Sequence, residues 1–322
     1  MDNTILKIED AKKGYGTKIV LNGINLNINQ GEIFGIIGPS GSGKTTFLKT
    51  IIGFVSPDEG DILFRDDHLL ELGKEVQFRS VFKHPKDIKK LFGFSSQLPS
   101  FYTKLTVKEN LDYMGSLYGL SKDARNTNIE TLLKIMELSD SRDTLAKNLS
   151  GGMQRRLDIA CALVHDPNIL ILDEPTSDLD PVLSRHIWEL LNKINKSGKT
   201  IILASHHLSD MESFCTRIGI LYEGKLAHVG SIKNMINKLS KSHEIHIETF
   251  PGNYDRIMEK VNNKLIIDKE NRGHTLVIHT KKPEDVLLDI LKNLHELNEI
   301  LMDVKIARLT LDDVFSAITK KK

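Results

Sequence analysis

"GEIFGIIGPSGSGKTTFLKTIIG", Gly31–Gly53, decides the reading of this chain. An apolar run of strand length, Ile33–Ile37, leads into a glycine-rich loop, and "TTFLKTIIG" continues with helical spacing. Glycines let backbone N–H groups turn toward an anion, and a helix N-terminus adds partial positive charge. Gly38–Thr45 fits G-x-x-x-x-G-K-[ST] in full. In that pattern Gly38, Pro39, Ser40, Gly41, Ser42, Gly43, Lys44, Thr45 and Thr46 line a phosphate cradle. Lys44 reaches the β- and γ-phosphates and the Thr45 hydroxyl ligates Mg²⁺. The bland alternative is a glycine-rich turn; the flanking strand and helix speak against it.

Working outward, "NILILDEP" (168–175) and "GKTIILASH" (198–206) are further apolar runs that end in polar residues. "RRLDIACALVHDP" (155–167) reads as a helix before the first of them. Apolar runs alternating with helices predict a parallel sheet buried on both faces, an α/β fold. Ligands collect beyond the carboxyl ends of such strands, so the polar strand ends are candidates. Asp173 is placed to hold Mg²⁺, and Glu174 to polarise water for in-line attack. A helix cap or a surface pair is the plainer reading of a lone Asp-Glu. His206 could hold the γ-phosphate and the attacking water, or merely face solvent as His207 beside it does. Gln97, closing the strand-like "GFSSQ", has a donor and an acceptor end that can touch both Mg²⁺ and water. Tyr15, in "KKGYG", can stack on adenine or be an ordinary half-buried tyrosine. Ahead of the loop, Ile24, Leu26 and Ile28 alternate with Asn25, Asn27 and Asn29, a period-two strand with one buried face.

The 322 residues suit two domains. An apolar fraction of 40% and a charged fraction of 27% are those of a soluble globular protein. A net charge of +1 gives no global pull toward nucleic acid. No apolar run has the length of a membrane span, and the start lacks a secretory pattern. The expectation is a cytoplasmic chain; if it acts at a membrane, another chain spans it. Cys161 and Cys215 have no metal-like spacing and read as small buried hydrophobes. The segment 61–96 is charged and aperiodic. Its end gathers Arg79, Lys83, Lys86, Lys89 and Lys90 against Asp87, either a solvated insertion or a docking patch for a partner or anionic headgroups. After Leu239 the pattern becomes strand, helix, strand, strand, helix, strand, with a last helix at "TLDDVFSAIT" (310–319). That order matches the split βαβ, ferredoxin-like motif.

A second glycine turn, "LSGGMQRRL" (149–157), remains. With it the chain resembles the ATP-binding subunit of an ATP-binding-cassette (ABC) transporter. Five elements stand in order: "GPSGSGKTT" (Walker A), "SSQ" (Q-loop), "LSGGMQRR" (signature), "ILILDEP" running into "TSDLD" (Walker B and D-loop), and "ASH" (H-loop). The resemblance covers about Ile5–Ser240. It implies a P-loop NTPase cassette with a RecA-like core, an antiparallel β subdomain and a helical subdomain at about 98–165. The cassette would fill 1–239, and a C-terminal α+β domain with βαββαβ-like order 240–322. The resemblance further implies ATP and Mg²⁺ as ligands, with Thr45, Gln97 and Asp173 on the metal and Lys44, Gln97, Glu174 and His206 in catalysis. Family members pair head to tail, so Ser150, Gly151, Gly152, Gln154 and Asp180 would serve the nucleotide of a second ABC subunit in a homodimer. The second cradle then reads the partner's ATP. Asp178 departs from the family's usual glycine in "TSGLD", which points to a tuned dimer contact. The ending "LTLDDVFSAIT" resembles the "SLEDVFLxLT" of ATPases that serve exporters through separate permease chains. That implies a peripheral place on the inner face of the cell membrane. The alternative is a soluble, non-transport ABC ATPase; a kinase-type P-loop enzyme is disfavoured by the signature.

Overall fold

The computed structural model describes residues 3–65, 77–83, 90–239 and 243–307, with Leu311 and Phe315. The chain divides into two units, Met1–Ser231 and Ile232–Lys322. The division falls a little ahead of the change of sequence texture after Leu239, because the helix α7, Ile232–Leu239, opens the second unit.

The centre of the first unit is a six-stranded sheet. Its order is β10 (Lys225–Gly230), β9 (Arg217–Tyr222), β3 (Ile33–Ile37), β8 (Thr200–Ala204), β7 (Ile169–Asp173) and β6 (Phe92–Ser95). All neighbours are parallel except the β10–β9 edge pair. Every residue of β3, β7 and β8 is buried, which is why these strands read as unbroken apolar runs. Parallel pairing brings the carboxyl ends of β3, β6, β7 and β8 to one edge. The register fixes them there: Ile36 and Asp173 both pair with Ala204.

One face of this sheet, through Phe34, Ile36, Ile169, Ile171, Ile202 and Ala204, shares a core with the helix α1 (Lys44–Ile51) and an antiparallel sheet. α1 contributes Phe47, Leu48 and Ile51, all fully buried. Burial of each such side chain is worth about 1.5–3 kcal/mol. The antiparallel sheet has the order β2 (Lys18–Asn29), β1 (Thr4–Tyr15), β4 (Glu59–Arg65) and β5 (Phe78–Ser80). Ile24, Leu26 and Ile28 face this core as expected. The reading of 61–96 as an aperiodic surface insertion needs correction. Ile62 and Phe64 of β4 are buried strand residues, and β5 and β6 complete the two sheets. Short strands interleaved with charge hide their period. Lys86, Asp87 and Lys89 of the basic cluster lie outside the described residues.

The helical part comprises α2 (Val107–Leu117), α3 (Lys122–Ile135) and α4 (Gly151–Leu163). α2 starts at a capping box between Thr106 and Glu109, and Ser121 caps α3. α5 (Pro181–Lys196) begins at Asp180 and buries Ile187, Trp188, Leu190, Leu191 and Ile194. α6 (Leu208–Phe214) follows β8. Burial pushes both thiols up, Cys215 to about 12, as suits cysteines that only fill space.

The second unit has its own core. Its antiparallel sheet runs β12 (Ile266–Asn271), β13 (Leu276–Thr280), β11 (His243–Phe250), β14 (Ile300–Ala307). The helices α8 (Tyr254–Lys260) and α9 (Pro283–Glu296) supply Ile257, Val286, Ile290 and Leu294 against Ile245, Ile247, Leu276 and Ile278. Element order and strand order are those of the split βαβ, ferredoxin-like arrangement. Of the expected last helix, Leu311 and Phe315 are described, both helical.

Candidate nucleotide site

The loop Gly38–Thr46 leaves the end of β3 and turns into α1. Gly41 and Gly43 adopt φ of 77° and 103°, the left-handed region that a side chain resists. At Gly43 a Cβ would also meet Val20 Cγ1 at 2.8 Å. The loop wraps Lys44, which is only 8% exposed. Its Nζ donates to Gly38 O at 2.9 Å and Pro39 O at 3.3 Å, and lies 4.0 Å from Glu174 Oε1. Burial pulls the Lys44 pKa down, against the opposing pull of Glu174 and Asp173.

Thr45 Oγ1 donates to Asp173 Oδ2 at 2.7 Å, joining the start of α1 to the end of β7. The other oxygen, Asp173 Oδ1, is buried without a hydrogen-bond partner. Burial raises the Asp173 pKa. A buried acceptor left open beside a hydroxyl is the donor set a hard cation needs, and Mg²⁺ takes few protein ligands besides phosphates and water.

Glu174 follows with φ of 51°. Its N–H donates to Ala204 O at 2.9 Å, which pins the turn to the end of β8. From β8 the chain brings His206, whose Nδ1 lies 2.8 Å from Glu174 Oε2; an Nδ1–H tautomer donates there. His206 and His207 rings stand 4.2 Å apart, so His207 packs beside the site residue.

Tyr15, Ser40, Gly41, Gly43, Lys44, Thr45, Thr46, Gln97, Glu174 and His206 line one pocket of 560 Å³ with Lys18 and Val20. Gly38, Pro39, Ser42 and Asp173 stand behind that lining. Tyr15 is 52% exposed, with Lys13 Nζ 5.6 Å from its ring centre.

The signature residues lie apart from this pocket. Ser150 is exposed and caps α4, its Oγ accepting from Met153 N–H. Gly151 has open space where a Cβ would stand. Gly152 is buried against Leu183. Gln154 turns its amide inward, donating to Leu149 O at 3.1 Å and Ala146 O at 3.3 Å, which holds the turn before α4. Asp180 caps α5, accepting from Val182 N–H at 2.9 Å and Leu183 N–H at 3.0 Å. Asp178 has φ of 63°, a backbone state that glycine takes without cost and aspartate tolerates.

Sequence reasoning missed two buried charges behind the pocket. Arg155 and Asp158, 8% and 1% exposed, are one turn apart on α4. Their hydrogen bonds run to the segments carrying Gln97 and Glu174. The available signal was an aspartate three residues after an arginine inside the apolar run "LDIACAL".

A model of the ABC transporter family matches residues 21–177. The chain is 33% identical over 290 residues to Nod factor export ATP-binding protein I of Rhizobium sp. (strain N33), spanning 90% of each chain. It is 34% identical over 235 residues to linearmycin resistance ATP-binding protein LnrL of Bacillus subtilis (strain 168), spanning 73% of this chain and 72% of that one. Among solved structures, an ATP-binding subunit of an ABC transporter superposes with a TM-score of 0.62 at 28% identity, over 73% of this chain and 93% of that one. A dimeric cassette in a post-hydrolysis state bound to ADP and Pi superposes with a TM-score of 0.61 at 29% identity, over 70% and 98%. With the phosphate loop, the strand-end carboxylates and these likenesses together, the chain belongs to the ABC transporter family as one of its ATP-binding, ATP-hydrolysing cassettes.

Proposed function

We propose that the chain is the motor of an exporter, driving a separate membrane permease by hydrolysing ATP at composite sites in a head-to-tail homodimer. The observation that carries the hydrolytic part is the convergence of Lys44, Thr45, Asp173, Glu174 and His206 at one sheet edge. The adenine would stack on Tyr15, and the triphosphate would lie along the Gly38–Thr46 cradle. Thr45, Asp173 and Gln97 would hold Mg²⁺, with the open Asp173 Oδ1 as the fitting acceptor. When bound, Mg²⁺ neutralises charge on the β- and γ-phosphate oxygens.

Lys44, 8% exposed, neutralises further charge on the β- and γ-phosphates. Glu174 accepts the proton of the attacking water as its oxygen bonds to the γ-phosphorus. The bond from that phosphorus to the β–γ bridging oxygen breaks, releasing ADP and phosphate. His206 orients the Glu174 carboxylate through the 2.8 Å contact, and with both ring nitrogens protonated its Nε2–H would donate to a γ-phosphate oxygen. Ser150, Gly151, Gly152, Gln154 and Asp180, away from their own pocket, would serve the partner's nucleotide in trans. The outward Ser150 and the open face at Gly151 support that reading. Export is supported by the name of the Nod factor relative and by the "LTLDDVFSAIT" stretch. Among the described residues no helix is long and apolar enough to cross a membrane. In the proposed motor the permease is a separate chain, and this one sits against it at the inner membrane face.

The test is Glu174→Gln. It should bind Mg·ATP with the parent's affinity, lose ~10²-fold or more in turnover, and form an ATP-dependent dimer. Captured with ATP from detergent-solubilised native membranes, it should bring a multi-span chain with it. Parent-like turnover removes Glu174 from the base role, and recovery of soluble partners alone turns the reading to a non-transport ABC ATPase.

A further inference from the structure

Arg155 is a buried guanidinium whose five N–H donors are all occupied. Nε donates to Pro175 O at 2.8 Å, Nη2 to Asp173 O and Glu174 O at 3.2 Å each. Nη1 donates to Ser96 O at 2.8 Å and Asp158 Oδ2 at 3.4 Å. Three consecutive carbonyls around the left-handed Glu174 therefore converge on one side chain. Asp158 completes the network. Its Oδ2 accepts from Ser95 Oγ and its Oδ1 from Ser100 N–H at 2.6 Å. Ser95 and Ser100 bracket Gln97 in the chain.

A buried ion pair is a poor device for stability alone. Desolvation offsets much of its attraction, and apolar residues of similar volume often fill such a space as well. Here burial opposes both charges, raising Asp158 and lowering Arg155. What the pair adds is direction: each bond ends on a segment that carries a site residue. Both charges sit on α4, whose first turn is the signature.

We propose that Arg155 and Asp158 are positioning residues, a latch that fixes the Gln97 segment and the Asp173–Pro175 turn to the signature helix as one body. The inference rests on the composite-site reading for one consequence. Engagement of Ser150 with a partner's nucleotide then sets the geometry of the chain's own Gln97 and Glu174, which links the two sites of a dimer. The latch touches no phosphate. It acts by holding groups that do, where a misplacement of about 1 Å can cost ~10²-fold in rate.

The test uses the full-length chain and three variants: Arg155→Lys, Asp158→Asn and the apolar double Arg155→Met/Asp158→Leu. Mg·ATP affinity, kcat, the Hill coefficient for ATP and thermal midpoint are measured on each. A latch predicts affinity within about twofold of the parent, kcat lower by ~10-fold or more in all three, and a Hill coefficient falling toward one. Because Asp158→Asn keeps the Ser100 acceptor and nearly the same shape, it reports even where the double variant fails to fold. Parent-like kcat in a folded double variant, or in both single variants, overturns the latch. So does a kcat loss matched by an equal loss of ATP affinity, which is the mark of a merely structural pair. Dimer formation by Glu174→Gln, with and without Arg155→Lys, separates the two ideas. Failure of Glu174→Gln alone to dimerise with ATP sinks the composite-site reading, while the split between kcat and affinity still judges the latch.

Discussion

At the scale of single residues, the pocket keeps charges where folding alone would not choose them. Asp173 is 2% exposed with one oxygen open, and its pKa is raised chiefly by burial. A carboxylate whose folded pKa lies above its ordinary 3.8 carries more protons folded than unfolded between those two values. Stability from this group is therefore present at low pH and lost as pH rises through the folded value. Asp173→Asn should raise the thermal midpoint of the nucleotide-free protein at pH 7. The gain over the parent should shrink as pH falls and vanish below 3.8. The same variant should lose most Mg²⁺-dependent turnover, the usual exchange of stability for function. A gain constant across the pH series would mean that Asp173 is not the strained group. Lys44 follows the opposite sign. Burial lowers its pKa, so its charge weighs on the fold at neutral pH until a triphosphate meets it. Asp178 shows the same economy in the backbone, an aspartate in a left-handed turn that glycine would occupy more easily.

At the scale of elements, the helix α4 joins two tasks. Its N-terminus presents Ser150 outward, and its body holds the turn after β7 through Arg155. Ser150→Arg removes the cap acceptor, costing about 1 kcal/mol, and puts a cation at the positive end of a helix. It should leave ATP binding by the isolated chain unchanged and abolish turnover, read by equilibrium binding and phosphate release. Ser150→Asn keeps a cap acceptor and should hold the parent's thermal midpoint. Loss of binding in Ser150→Arg would mean that the signature touches its own nucleotide. The elements were unevenly legible in the sequence. β3, β7 and β8 read clearly because burial on both faces makes them solid apolar runs, and the glycine loop can serve few other ends. β4 and β5 did not, since Leu63 between Ile62 and Phe64 blurs the alternation and β5 has only three residues. The Arg155 network was hidden for a different reason. Its acceptors are mostly backbone carbonyls, which every residue carries and no sequence pattern marks.

At the scale of the whole molecule, the two units have separate cores that, among the described residues, share none. Every residue lining the nucleotide pocket belongs to the first unit. The four strands of the second unit close a buried cluster of their own with α8 and α9, as a domain with its own core does. A chain ending at Ser231 should therefore fold, melt in one transition and bind Mg·ATP within about twofold of the full protein. In the proposed motor the second unit would add to the pairing of subunits or serve regulation, since the pocket lining lies in the first unit. If it aids pairing, the Glu174→Gln version of the shortened chain should need more protein to form its ATP-dependent dimer than the full-length Glu174→Gln chain, by sedimentation or light scattering across a concentration series. Equal dimerisation with equal ATP affinity would remove the second unit from subunit pairing and leave it a docking or regulatory element. Loss of ATP affinity on truncation would overturn the separation itself, since it would require the second unit to support a pocket that it does not line.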